Sequence, residues 1–168
     1  MSTSTLVMGV SGSGKTTVGT QIAKGLGAVF ADGDDLHPQA NVMKMSAGIP
    51  LTDEDREPWL RRCAEWLGRQ QDEGVDAVLA CSALKRYYRD ILREAAPGLR
   101  IVYLDGSREL LASRLSHRPG HFFNPRLLDS QLADLQPPGA DENAVVVPIT
   151  LTPDEIVDRA VAELSRPS

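Results

Sequence analysis

Short apolar runs alternate along the chain with longer stretches in which hydrophobic residues recur every three to four positions. Five of the runs are continuous in their apolar character, which is typical of strands that are covered on both faces. They lie at residues 5–9, 28–31, 77–80, 101–104 and 144–147. Because strands and helices take turns, the pattern predicts a three-layer α/β fold with a five-stranded parallel sheet flanked by helices.

Six helices are predicted around these strands. They cover residues 15–26, 56–71, 84–95, 108–116, 125–135 and 153–164. The last has the clearest signals, because Thr152 and Glu155 can form a capping box with Pro153 at the first helical position. The segment from His37 to Asp55 is interpreted as a polar, proline-marked connection.

Two pairs of side chains can be interpreted either as part of the predicted core or as chemically active groups. Trp59 and Trp66 are seven residues apart, a spacing that favours core packing over a platform for a ligand. Cys63 and Cys81 are the two cysteines of the chain and lack the spacing of a disulfide framework or a metal site. We expect reduced thiols that pack as small apolar groups rather than a redox pair.

Length and composition limit the class of protein. The 168 residues are 42% hydrophobic and 24% charged, which is typical of a soluble protein, and we expect residues 1–168 to form one domain. No stretch approaches the roughly 18 apolar residues of a membrane span. The first residues also lack the basic start of a secretory signal. These features predict a cytoplasmic protein without a membrane partner.

Charge is unevenly distributed. The net charge of −5 argues against a nucleic-acid partner. Residues 85–126 nevertheless carry nine basic and four acidic side chains, whereas residues 127–168 carry two and eight. The basic middle either faces an anionic ligand or consists of solvated helix faces.

The segment from Gly9 to Thr16 reads GVSGSGKT and fits the phosphate-loop pattern G-x-x-x-x-G-K-[ST]. It follows a buried strand and precedes a helix, so its backbone N–H groups and the positive helix end predict an anion site. Lys15 is expected to neutralise the β- and γ-phosphates of a nucleoside triphosphate, and the Thr16 hydroxyl to ligate Mg²⁺. The predicted nucleotide-binding residues in this loop are Gly9, Ser11, Gly12, Ser13, Gly14, Lys15, Thr16 and Thr17.

Asp32 and Asp34 follow the second predicted strand, at the sheet edge where ligands of α/β proteins bind. If the chain stays extended, both can face the crevice, one holding the metal through water and the other accepting a proton from an attacking hydroxyl. The third strand ends in Cys81 and Ser82 instead of the usual metal-binding aspartate, which shifts the metal role toward Asp32. A surface turn is the alternative, because turns also favour Asp and Gly.

Further polar residues follow the second and third strands. The Arg56 guanidinium can donate two hydrogen bonds to a carboxylate or to hydroxyls. His37 and Lys44 lie in the same connection. Each has a structural alternative, as a helix-start residue, a solvated cation or the partner of a nearby carboxylate. Lys85 and Arg86 follow the third strand and are candidates to contact an anionic substrate.

A mobile lid is predicted at about residues 117–126. Arg114 and Arg118 precede a loop bounded by glycine and proline, which is the layout of a hinged flap. Such a flap closes over a bound triphosphate, excludes water and brings a cation to the transferred phosphoryl group. The alternative is an exposed helix face on which these arginines pair with Glu109 or Asp129.

Taken together, these blocks closely resemble the small gluconokinases over residues 7 to about 138. The most specific are DGDDLHP at residues 32–38 and CSALKR at residues 81–86, since many families share the phosphate loop. Shorter matches are Asn41, Lys44, Met45 and residues 50–53, 55–56, 58–60, 121–122 and 130–131.

The resemblance implies an adenylate-kinase-like P-loop fold, a homodimer, and transfer of a phosphoryl group from ATP to D-gluconate in carbohydrate acid catabolism. The residues implied around gluconate are Asp32, Asp34, His37, Lys44, Arg56 and Lys85 or Arg86. The lid would carry the nucleotide-binding Arg114, the catalytic Arg118 and the substrate-binding His121.

Within this scheme Asp34 is the favoured base and Asp32 the favoured outer-sphere magnesium partner, although the two roles could be exchanged. Lys15 is expected to matter more than either aspartate, because the transition state is loose and depends on positioning and charge neutralisation. Two alternatives stay open, a shikimate-kinase-like transferase and a catalytically silent nucleotide-binding module.

Overall fold

A five-stranded parallel sheet forms the centre of the computed structural model, which describes residues 2–117 and 125–165. The strands are β1 (Ser4–Met8), β2 (Val29–Asp32), β3 (Ala77–Ala80), β4 (Arg100–Asp105) and β5 (Val145–Pro148). Their order is β2-β3-β1-β4-β5, and every neighbouring pair is parallel. The central strands β1 and β3 are buried along their whole length, as their continuous apolar sequences predict.

Helices cover both faces of the sheet, which confirms the predicted three-layer α/β fold. They are α1 (Lys15–Leu26), α2 (Gln39–Ser46), α3 (Asp53–Asp72), α4 (Arg86–Ala95), α5 (Arg108–Ser116), α6 (Pro125–Asp134) and α7 (Pro153–Leu164). Trp59 of α3 and Tyr88 of α4 belong to the core on one face. Ile22 of α1 and Ile156 of α7 belong to the core on the other.

The structure corrects the interpretation of the segment between residues 37 and 55. It contains the helix α2, and α3 begins at Asp53 because Thr52 and Asp55 form a capping box there. Helix α2 has a single fully buried residue, Asn41, while Met43 is 64% exposed. The segment therefore lacks the apolar stripe from which sequence reasoning recognises a helix.

Several local predictions are confirmed. Thr152 and Glu155 form the capping box of α7, with distances of 3.0 and 3.2 Å between each side-chain oxygen and the other residue's backbone nitrogen. Cys63 and Cys81 are free thiols that are fully buried in one core. The pKa of the Cys81 thiol is raised well above its ordinary value by its contact with Cys63 and by burial, so the thiol is not poised for redox chemistry.

Four of the nine basic residues between positions 85 and 126 pair with acidic residues of the last third of the chain. The ion pairs join Arg86 to Asp141, Arg89 and Arg93 to Glu142, and Arg108 to Asp129. These arginines thus stabilise the packing of α4 and α5 against later segments. Fewer basic residues of this stretch therefore remain to face an anionic ligand.

Among residues 2–117 and 125–165, no helix combines the length and the apolar character that crossing a bilayer requires.

Candidate active site

Two adjoining cavities lie at the carboxyl ends of the central strands. The first, here called the P-loop cavity, has a volume of about 260 Å³, and its lining includes Gly12, Gly14, Lys15, Thr16, Thr17 and Arg114. The second, here called the acceptor cavity, has a volume of about 240 Å³, and its lining includes His37, Met45, Arg56, Trp59, Ser82 and Gln131. Ser11, Lys15 and Asp34 line both cavities.

The phosphate loop is shaped by two glycines in the left-handed region. Gly12 has a φ of +86° and Gly14, the N-cap of α1, a φ of +93°. A Cβ atom on Gly12 would also lie 2.9 Å from Leu115 Cγ and 3.2 Å from the backbone oxygen of Leu111. Helix α5 therefore packs directly on the loop and leaves no room for a side chain at this position.

The carboxylates of Asp32 and Asp34 have different surroundings. Asp32 accepts a hydrogen bond from the Thr16 hydroxyl through Oδ2 at 2.7 Å and one from the backbone N–H of Asp34 through Oδ1 at 2.9 Å. The chain does not stay extended after β2, because Asp32 caps a 3₁₀ helix over Gly33–Leu36. This turn still places Asp34 at the junction of the two cavities.

The oxygens of Thr16 and Asp32 fit a magnesium ion. A hydroxyl beside a carboxylate is a hard oxygen donor set, the type that Mg²⁺ prefers. The described residues contain no group of three or more His, Cys, Asp or Glu side chains that could hold a metal.

Trp59 connects the acceptor cavity to the acidic turn, which is the 3₁₀ helix over Gly33–Leu36 together with its cap Asp32. It is 2% exposed, which confirms its predicted role in the core, yet it also lines the cavity. Its indole N–H donates to the backbone oxygen of Gly33 at 2.7 Å. Gly33 is required by close approach, since a Cβ atom there would lie 2.8 Å from the oxygen of Ala80. Trp59 therefore belongs both to the core and to the wall of the acceptor cavity.

The His37 ring stacks on Trp59, with ring centroids 4.1 Å apart and an interplanar angle of 14°. Its Nδ1 lies 3.2 Å from Nδ2 of Asn41, which also donates to the backbone oxygen of Asp55 at 2.8 Å. Burial, followed by the positive charge of Arg56, lowers the pKa of His37 to about 4. His37 is therefore neutral at physiological pH and lines the acceptor cavity as a polar group without charge.

Arg56 lies in the wall of the acceptor cavity, where it is 7% exposed. Its Nη1 donates to the Tyr88 hydroxyl at 3.0 Å and to Asp134 Oδ2 at 2.8 Å. Burial lowers the pKa of Arg56, but these two hydrogen bonds outweigh it and raise the pKa above its ordinary value. Its carboxylate partner is thus Asp134 of α6, not a neighbour on its own helix.

Lys44 and Lys85 make ion pairs near the cavity. Lys44 Nζ lies 2.7 Å from Asp55 Oδ2, and Lys85 Nζ lies 2.8 Å from Asp53 Oδ1. The hydrogen bond from Lys44 lowers the pKa of Asp55 to about 2. The hydrogen bonds from Lys85 and then from Tyr88 lower the pKa of Asp53. Neither lysine is among the residues that line the acceptor cavity.

The remaining predicted basic site residues between positions 86 and 118 differ in their surroundings. Arg86 donates through both terminal nitrogens to Asp141 and does not line the acceptor cavity. Arg114 lines the P-loop cavity while donating to the backbone oxygen of Ile149, so it does not pair with Glu109 or Asp129. Arg118 lies outside the described residues, which end at residue 117 and resume at residue 125.

The substrate-binding His121 and most of the lid predicted at residues 117–126 fall in the same interval, 118–124, outside the described residues. The flap therefore stays a prediction.

Sequence reasoning assigned no role to the helix α6, which forms one wall of the acceptor cavity. Leu127, Ser130 and Gln131 line the cavity, and Asp134 binds Arg56. The Gln131 amide accepts a hydrogen bond from the Ser11 backbone N–H at 2.7 Å and donates to the Ser11 hydroxyl at 2.9 Å. The i, i+3, i+4, i+7 spacing of these four residues was the available signal, because it places them on one helix face.

Comparisons with known proteins give the family. A family model described as "Shikimate kinase" matches residues 11–164. The chain is 51% identical over 156 residues to the gluconokinase of Gluconobacter oxydans, with 93% of the chain and 88% of that protein covered. It is 47% identical over 142 residues to the thermoresistant gluconokinase of Escherichia coli, with 84% of the chain and 81% of that protein covered.

Solved structures agree with these relatives. A gluconokinase from Sinorhizobium meliloti has a TM-score of 0.90 and 50% identity, with 98% of this chain and 92% of that chain covered. A shikimate kinase from Aquifex aeolicus has a TM-score of 0.61, 96% and 95% of the two chains covered, and only 15% identity, so it shows a shared fold alone. The chain therefore belongs to the shikimate-kinase group of P-loop kinases and, within that group, to the gluconokinases.

Proposed function

We propose that this protein is an ATP-dependent gluconokinase that transfers the γ-phosphoryl group of ATP to the 6-hydroxyl of D-gluconate, giving ADP and 6-phospho-D-gluconate. One observation carries the proposal: Lys15 and Asp34 line both the P-loop cavity and the acceptor cavity. A phosphoryl group held in the first cavity and a hydroxyl held in the second would meet between these two side chains. The gluconokinase relatives supply the identity of the acceptor.

Lys15 and Asp34 have complementary tasks in the transfer. The Lys15 ammonium neutralises charge on the β- and γ-phosphates, which is the main requirement of a loose phosphoryl-transfer transition state. The Asp34 carboxylate orients the attacking hydroxyl and accepts its proton. Trp59 adds an apolar side chain to the wall of the acceptor cavity.

Thr16 and Asp32 would hold a magnesium ion on the phosphate side of the site. Their hydrogen-bonded oxygens, 2.7 Å apart, form a hydroxyl-carboxylate pair suited to direct and water-mediated contact with the ion. When bound, the ion supplies positive charge to the β- and γ-phosphate oxygens. This arrangement supports Asp32 as the metal partner and Asp34 as the base.

Arg56 is the best-supported partner for the gluconate carboxylate. Among the described residues, both of its side-chain hydrogen bonds use Nη1, so the hydrogens on Nε and Nη2 remain for an anionic ligand. Lys44 and Lys85 have less support, because each is paired with an aspartate and neither lines the cavity. Arg86 has the weakest support, since Asp141 holds it elsewhere.

A coupled ADP-release assay with D-gluconate, shikimate and nucleoside monophosphates tests the function. We expect stimulation by gluconate alone, and loss of that stimulation in Lys15→Ala. Stimulation by shikimate would favour the transferase alternative, for which the family-model match is the supporting observation. No stimulation by any acceptor would favour a silent nucleotide-binding module.

We also infer a homodimer and a cytoplasmic location, both supported by the family resemblance. Light scattering during size-exclusion chromatography tests the first, and cell fractionation tests the second.

A further inference from the structure

Asn41 makes two hydrogen bonds with one amide nitrogen, and together they determine the protonation of His37. Nδ2 of Asn41 lies 2.8 Å from the backbone oxygen of Asp55 and 3.2 Å from Nδ1 of His37. The Asp55 oxygen can only accept, so the Asn41 amide must present its NH₂ group and not its oxygen to it. The same NH₂ group then donates to His37 Nδ1, which must be unprotonated.

We propose that Asn41 is a positioning residue that holds His37 as the neutral tautomer protonated at Nε2, so that His37 donates a hydrogen bond to an oxygen of the acceptor substrate. Within residues 2–117 and 125–165, the imidazole ring of His37 makes its hydrogen bond at Nδ1 only. His37 lines the acceptor cavity, so an Nε2–H group without a partner among these residues remains for a ligand there.

The surroundings of His37 keep the ring both fixed and uncharged. Stacking on Trp59 at 4.1 Å sets the ring plane, and Trp59 is anchored by its hydrogen bond to Gly33. Burial and the Arg56 guanidinium oppose a positive charge on the ring and lower its pKa to about 4. Asn41 is 3% exposed, so its two hydrogen bonds are protected from water.

The charged groups around this site make the neutral form useful. Arg56 already supplies a cation in the cavity wall, and Asp34 supplies a carboxylate on the same cavity. An imidazolium at His37 would be repelled by Arg56 and would attract the base Asp34 away from the substrate hydroxyl. A neutral donor contacts a hydroxyl or carboxylate oxygen without disturbing either group.

This inference rests on the proposed function, because the ligand oxygen is that of the acceptor. Its direct test does not, since ¹⁵N NMR of histidine-labelled protein reads the tautomer without substrate. The chain has three histidines, so comparison with His37→Gln identifies the His37 signals. We expect protonation at Nε2 alone, unchanged between about pH 5.5 and about pH 8. Protonation at Nδ1, or an imidazolium at about pH 6, would overturn the proposal.

The variant Asn41→Leu links the tautomer to binding. We expect the His37 signals to shift to a mixture of tautomers and the KM for gluconate to rise about fivefold to tenfold, with the KM for ATP unchanged. The glutamine amide in His37→Gln donates an N–H without a choice between tautomers. In that background the same Asn41→Leu change should therefore have no effect on the KM for gluconate.

Equal effects of Asn41→Leu in both backgrounds would assign Asn41 a merely structural role. If Asn41→Leu does not fold, the wild-type spectrum still decides the question. If wild type shows the expected tautomer but no gluconate turnover, the proposed function fails while the tautomer assignment stands.

Discussion

The Thr16 hydroxyl donates to Asp32 Oδ2 at 2.7 Å, and this contact distinguishes the role of Asp32 from that of Asp34. Asp32 is bound to Thr16, which lines the P-loop cavity, whereas Asp34 lines both cavities. A hydrogen bond of this kind aligns two oxygens that can serve the same ion. The sequence alone left the two roles interchangeable, and the contact favours one assignment.

The first prediction concerns these aspartates. Asp32→Asn should raise the magnesium concentration needed for half-maximal activity, because it weakens the oxygen set beside Thr16. Asp34→Asn should instead lower kcat by about 10²-fold at saturating magnesium, because it removes the base. Lys15→Ala should lower kcat more than either. Magnesium titrations of kcat check all three, and an unchanged magnesium requirement in Asp32→Asn would contradict the assignment.

The second prediction concerns Gly12, which has a φ of +86° and a Cβ position 2.9 Å from Leu115 Cγ. Gly12→Ala should weaken ATP binding, because the new methyl group must push the loop away from α5. Gly27→Ala is the matched control, since Gly27 has a φ of +67° but open space around its Cβ position. Both changes should cost about 1–2 kcal/mol of stability through the left-handed backbone.

Thermal unfolding measures the cost of backbone strain in these two glycine variants. Calorimetric titration with a non-hydrolysable ATP analogue measures the effect of the contact with α5 on nucleotide binding. Equal nucleotide affinities would show that the packing of α5 on the loop has no part in binding.

Buried strands and amphipathic helices were predictable from sequence because their patterns depend on near neighbours. The predicted ends of α1, α5 and α7 agree with the structure to the residue. The helix α2 was not predictable, because it exposes the apolar Met43 and buries a polar residue, so no apolar stripe marks the face that packs on the protein. Its buried residue, Asn41, is polar and is satisfied by contacts with residues elsewhere in the chain.

The candidate site shows the same division. The phosphate loop and the acidic turn lie within short segments whose residue types reveal their chemistry. The pairing of Arg56 with Asp134 joins positions 78 residues apart, and that of Arg86 with Asp141 joins positions 55 apart. Partners at such distances are set by tertiary packing, so sequence reasoning could name the cations but not which of them remain for a ligand.

The third prediction concerns stability. Arg89 and Glu142 form a bidentate ion pair with 0% and 1% of their side chains exposed, and Arg89 also donates to the oxygen of Ala83, a residue with a φ of +45°. Glu142→Gln should lower the free energy of unfolding by about 3 kcal/mol, or the melting temperature by roughly 6–12 °C, because it leaves the Arg89 charge uncompensated. Asp141→Asn, at an exposed pair, should have a smaller effect.

The pH dependence of this loss has a defined sign. Burial raises the pKa of Glu142, but hydrogen bonds from Arg89 and Arg93 outweigh it and lower the pKa from 4.5 to about 2. The carboxylate therefore stabilises the fold fully above about pH 4.5, and this stabilisation is lost as the pH falls toward about 2. The difference between wild type and Glu142→Gln should shrink over that window. A difference that stays constant from neutral pH to about pH 3 would contradict this.

The last prediction concerns Gln131, whose amide oxygen lies 2.7 Å from the Ser11 backbone nitrogen at the junction of the two cavities. Gln131→Glu keeps the shape and the acceptor oxygen but adds a negative charge beside the bound phosphates. The repulsion should raise the KM for ATP about tenfold. Gln70→Glu adds the same charge on α3, away from either cavity, and should leave that KM unchanged.

Salt distinguishes a charge effect of Gln131→Glu from a loss of loop geometry. Electrostatic repulsion is screened, so the KM of Gln131→Glu should move toward that of wild type as ionic strength rises. Gln131→Met removes the hydrogen bonds to Ser11 without adding charge, and its KM for ATP should not share this salt dependence. If both variants respond equally to salt, Gln131 acts by holding the loop and not by its distance from the phosphates.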